Sequence, residues 1–139
     1  MTLYIALATR ALMLDGFETS MLVGGGDANL TVYQSQIALC VFTLAAAPFG
    51  AGSSDSLVLA STPISSTGTE VAGTANRFVI VDQAGTTTLT GTISAIGGGG
   101  DIQVPSLTVT AAATQTLNSF VLRMASSGAL TVEASLMLV

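Results

Sequence analysis

Residues 77–94 read RFVIVDQAGTTTLTGTIS, and two strands and their turn are visible in them. Arg77 to Asp82 is a β-branched and aromatic run of the kind a pleated, buried surface selects. Asp82-Gln83-Ala84-Gly85 then has the composition of a tight turn, with Gly85 free to adopt a positive φ. Thr86 to Ser94 follows as a second strand, in which apolar and hydroxyl residues drift in and out of a period of two.

The same grammar extends in both directions. Downstream, Asp101 to Val104, Leu107 to Thr110, Thr114 to Met124 and Ala129 to Val139 read as strands, the last two joined by a turn at Ser126-Ser127-Gly128. Upstream, strands are expected at Asn29 to Gln34, Ile37 to Leu44, Ser56 to Ala60 and Thr69 to Val71. Residues 3–22 are different. Leu3, Leu7, Leu14, Phe17 and Met21 recur at three-to-four-residue spacing and predict a helix with one apolar stripe, on which Arg10 also falls. Gly24-Gly25-Gly26 ends it. One helix followed by many short strands predicts an all-β fold. We expect an antiparallel β-sandwich, jelly-roll or Ig-like, in one domain spanning 1–139, with 3–22 as a helical arm and 28–139 as the sandwich.

The length suits one domain, and scaling from 13.9 kDa gives roughly 13,000 Å² buried on folding, enough for a core without metals or disulfides. Only 8% of the residues are charged, against about 25% in an average soluble domain. There is no Lys, His or Trp, and Arg10, Arg77 and Arg123 stand against eight acids. So little positive charge disfavours binding to nucleic-acid phosphates. Mean hydropathy is +0.73, yet the most apolar run, Ile37 to Phe49, falls short of the ~20 residues a spanning helix needs. No basic stretch precedes the N-terminal apolar residues, so a signal peptide is not expected. Apolar surface without a membrane to enter implies burial against other subunits. A chain this poor in charge would otherwise be poorly soluble.

Catalytic chemistry has few residues to work with. Without His, most general-base, triad and zinc arrangements are absent; without Lys, so are Schiff bases and Walker-type loops. Cys40 lies within the apolar run and reads as a buried core thiol. The acids Asp55, Glu70, Asp82 and Asp101 could in principle form a glycosidase pair, but all except Glu70 adjoin turns where Asp belongs for local hydrogen bonding. Gly97 to Gly100 before Asp101 lacks the Lys and helix of a phosphate cradle and reads as a turn. Asp27-Ala28-Asn29 is only a fragment of a calcium loop. Arg77 and Arg123 are expected to pair with Glu70, Asp82 or Glu133. We therefore expect no enzyme, no cofactor and no metal.

The order of these turn and strand motifs resembles a family of small bacteriophage virion structural proteins. The resemblance is carried by Gly73-Thr74-Ala75-Asn76-Arg77 leading into the strand that ends at Asp82, then Gly85-Thr86-Thr87, Gly91-Thr92-Ile93-Ser94 and Gly99-Gly100-Asp101-Ile102. Ser119-Phe120-Val121-Leu122 fits downstream. Arg10 to Asp15, Leu30 to Tyr33 and Ala47 to Gly50 fit upstream. The loop after Tyr33 lacks that family's Gly/Pro-rich segment, and Ser126 to Val139 extends beyond its usual end. The resemblance implies a capsid cement or decoration protein on the virion surface, bound to the major capsid protein or other virion proteins and homo-oligomeric, with a trimer possible. A tail, neck or fibre-attachment protein is the alternative, and a host-surface-binding module ranks below both. Leu3, Leu7, Leu14, Phe17 and Met21 on the helix, with Leu136 and Leu138 on the final strand, are the candidate subunit-interface residues.

Overall fold

The computed structural model describes residues 3–49 and 55–139. Among these residues, one helix, α1 (Leu7–Met21), precedes eleven strands. Five make the first sheet: β1 (Asn29–Gln34), β2 (Ile37–Thr43), β6 (Arg77–Val81), β7 (Thr87–Ala95) and β8 (Ile102–Val104), in the order β2-β1-β6-β7-β8. The second sheet holds β11 (Leu130–Met137), β10 (Thr116–Met124) and β3 (Ser56–Val58), with β4 (Ile64–Ser65) also on β10. β5 (Gly73–Thr74) and β9 (Thr108–Val109) form a small ribbon. The chain is thus mostly β, with sheets packed as a sandwich behind one helix.

Burial follows from position within the sheets. The inner face of the first sheet presents Leu30, Phe42 and Ile80 in one row and Val32, Cys40 and Phe78 in the next, all buried. Rings join the layers: Phe17 of α1 lies 5.8 Å from Phe49, Phe49 lies 6.1 Å from Phe120 of β10, and Phe120 lies 6.2 Å from Phe78 of β6. Edge-to-face and tilted contacts of this kind add to plain area burial. They tie the helix to both sheets.

The turn read at Asp82–Gly85 forms as its residues predict. Asp82 Oδ1 accepts the N–H groups of Ala84 and Thr86 at 2.9 Å each, and Gly85 takes φ +86°. One pairing departs from the antiparallel expectation, since β7 and β8 run parallel. Parallel neighbours ordinarily need a crossover of a dozen residues or more, whereas Ile96 to Asp101 reverses the chain in six. Gly97 and Gly99 have φ of +87° and +79°, which side-chain-bearing residues rarely adopt. Gly97 N–H donates to Gln103 Oε1 and Gly100 N–H to Ser94 Oγ, fixing the doubled-back loop.

Thr69–Val71 is not a strand. Its neighbourhood covers the outer edge of β2 with isolated bonds, Thr67 N–H to Val41 O and Val71 N–H to Leu39 O. No helix among the described residues is long and apolar enough to cross a membrane.

Candidate functional site

Five of the seven expected interface residues belong to the chain's own core. Leu14 and Met21 are buried and Phe17 packs against the core, because the inward side of α1 closes the sandwich. Leu136 and Leu138 are buried for another reason. β11 is a full partner of β10, and its end is clamped by Gln115, a fully buried side chain. Gln115 Oε1 accepts Val139 N–H at 2.6 Å, while its Nε2 donates to Val139 O at 3.0 Å and to Ala113 O at 2.6 Å. The end of the final strand is thereby held within the subunit. The helix is no loose arm either: Arg10 donates to the carbonyls of Ile5 and Met124 and lies 3.7 Å from Asp55.

Leu3 and Leu7 do lie on the surface, and they have company. Leu3 is 83% exposed, Tyr4 70% and Leu12 71%, with Leu7 and Met13 about half exposed. Of the stripe read from the sequence, only Leu14, Phe17 and Met21 face inward; Leu3 lies ahead of α1, which begins at Leu7 and not at residue 3, and Leu7 stays half exposed. The outward residues Tyr4, Leu12 and Met13 escape a reading by periodicity because α1 spreads Thr9, Asp15, Glu18, Thr19 and Ser20 around its axis, leaving no polar side to contrast with an apolar one. Asp15 and Glu18 are its only acids, both half-buried.

Arg123, Arg77, Asp101 and Glu70 have structural partners. Arg123 pairs with Glu133 at 3.0 Å and lies 3.9 Å from Asp55. Arg77 does not meet the carboxylate expected for it. Its Nε donates to Ser35 O at 2.6 Å and its guanidinium stacks 4.4 Å from the Tyr33 ring, a cation–π contact that satisfies the charge without an acid. Asp101 Oδ2 accepts Thr92 N–H at 2.8 Å and Thr92 Oγ1–H at 3.0 Å, just before the β7–β8 pairing begins. Glu70 is held by Ser66 Oγ and Gly68 N–H, and its buried Oε2 has no hydrogen-bond partner among the described residues. The Ser66 bond above all keeps the Glu70 carboxyl below its usual range, against the opposing effect of burial. Cys40 is buried, and burial, helped by the nearby Glu70 charge, pushes its thiol up to about 12. That is the environment of an inert core thiol. No three metal-ligating side chains gather among the described residues.

Among the described residues, two adjoining hollows stand out where β8 meets β11. A cleft of about 440 Å³ is bounded by Gly100, Asp101 and Gln103 on one side and Thr131–Ala134 on the other. A smaller cavity of about 140 Å³ adjoins it, sharing Asp101 and Val132 and floored by Phe78 and Leu122. No family model, curated protein or solved structure matches this chain.

Proposed function

We propose that this chain is a non-enzymatic structural subunit of a bacteriophage particle, a capsid cement or decoration protein that docks on the major capsid lattice. One observation carries the reading. A chain with 8% charged residues leaves Leu3, Tyr4, Leu7, Leu12 and Met13 exposed in and just ahead of α1. So many large apolar side chains on one exposed element mark an interaction site. The motif order described above supplies the particle context, and the carboxylates' structural roles support a chain without catalysis. On a lattice, modest contacts of this kind sum by avidity, and homo-oligomerisation, as a trimer for instance, would shield some of these side chains. Quantitative mass spectrometry of purified particles tests the reading. Hundreds of copies per head are expected. A handful of copies would move the subunit to the tail or neck, and its absence from particles would end the proposal.

A further inference from the structure

Charge is so scarce in this chain that an unmatched ionic group stands out. Arg10 and Arg123 lie beside Asp55, and Arg123 also meets Glu133. Arg77 has no carboxylate within ion-pair distance, although all eight of the chain's acids are among the described residues. Its Nε is spent on Ser35 O and one face of its guanidinium on Tyr33, so the N–H donors of both terminal nitrogens stay unbonded.

The acids contain one counterpart. Asp55 and Glu133 pair with arginines, and Glu70, Asp82 and Asp101 are held by backbone N–H and hydroxyl donors. Asp15 and Glu18 are half-buried on α1. Among the described residues, Asp27 is the acid that is exposed and holds no hydrogen bond or ion pair.

Topology sets these two groups at opposite poles. Arg77 pairs with Tyr33 toward the far end of β1, beside the turn at Ser35, and Ile37 in the same hairpin is 57% exposed. Asp27 precedes the near end of β1, where Asn29 faces Val81. The four steps from Asn29 to Tyr33 put about 13 Å of strand between the two ends. The Asp27 pole is fixed to the body of the fold. Gly26 N–H donates to Gln83 O, and Gly24, at φ +115°, lies so close to the Ala84 backbone that no Cβ would fit. Leu22 and Val23, both exposed, lead into that loop. Each pole thus carries one unmatched charge beside exposed apolar side chains, and the charges are opposite.

We propose that copies of this chain associate head to tail, the Arg77 pole of one receiving the Asp27 pole of the next. A second copy fits because it supplies, one for one, the carboxylate that Arg77 lacks. A two-fold contact of the Arg77 pole with itself would bring like charges together. A head-to-tail contact repeats instead, closing into a ring or running on as a row. An exposed ion pair adds little strength; it sets direction and register, while Leu22, Val23 and Ile37 supply the apolar area. So small a contact is weak in solution and depends on concentration. That a particle lattice gathers the copies rests on the function proposed above; the contact itself does not.

Sedimentation velocity on the full chain, from ~10 μM to ~1 mM, covers the range of weak association and tests this. The wild type should self-associate across that range. Asp27→Arg and Arg77→Glu should each raise the dissociation constant at least ~10-fold, and the two together should restore it to within ~3-fold. Circular dichroism checks the fold of each variant. Asp27→Arg breaks no bond of the fold, so it decides alone if Arg77→Glu does not fold. The proposal is overturned if the wild type stays monomeric throughout, if Asp27→Arg leaves association unchanged, or if the folded double variant fails to recover it. Head-to-tail association in a protein absent from particles would sink the virion reading alone. High copy number in particles from a strictly monomeric chain would sink this contact alone.

Discussion

At the scale of single residues, Gln115 controls the largest identifiable share of polar order. Its amide joins the chain's last residue to the loop before β10, and its backbone N–H donates to Ser66 Oγ, which bonds Glu70. Gln115→Ala removes the three hydrogen bonds of its side chain while leaving the half-exposed Val139 able to meet water, at a cost of about 0.5–1.5 kcal/mol. Urea denaturation should show the loss as a lower midpoint at unchanged slope. Cys40 gives a pH prediction of opposite character. Its thiol pKa is raised in the fold from an ordinary value near 9.0 to about 12. The stability this neutral group confers is present in full below 9 and is lost as pH rises toward 12. Cys40→Ala should therefore flatten the alkaline limb of the stability curve, and the native thiol should resist a disulfide reagent at pH 8 until denaturant is added.

At the scale of elements, α1 is part of the sandwich. Leu14, Phe17 and Met21 fill it, and Arg10 ties the helix to the β10–β11 end. Removing residues 1–22 should abolish the cooperative thermal transition seen by circular dichroism, because it exposes the Phe49–Phe120 contact and the core around it. Much of the strand layout was legible. β1 occupies Asn29–Gln34 as read, and β6, β7, β10 and β11 lie within two residues of their expected ends, because β-branched runs between Gly and Asp turns report local backbone preference. Other features were decided by tertiary contact, which local preference does not report. Ile64–Ser65 and Gly73–Thr74 are two-residue strands that exist only through their partners, and Thr69–Val71 serves as cover for an edge. Which side of α1 turned inward depended on the sheets behind it. Arg77 found a ring and a carbonyl where its composition had suggested an acid.

At the scale of the whole molecule, stability depends on rings shared among three layers, and the assembly we propose would use what those layers leave outside. Phe120 touches both Phe49 and Phe78, so Phe120→Ala should cost about 3–5 kcal/mol, read from chemical denaturation. The outward apolar side chains behave differently. Leu12→Asp with Met13→Asp should leave folding stability within about 0.5 kcal/mol while abolishing attachment to particles, measured by co-sedimentation. A large fall in melting temperature instead would mean that they support the fold itself.

The place of β1 between β2 and β6 has a consequence for biosynthesis. β2 follows β1 at once, but β6 begins only at Arg77, some forty residues after Gln34. At ribosomal speeds of ~5–20 residues per second, the nascent hairpin waits roughly 2–8 s with one flank bare. Leu39 and Phe42, later enclosed, are meanwhile exposed to every other newborn chain nearby. Slower translation or crowded overexpression should therefore divert this polypeptide into inclusion bodies even though its finished fold is sound.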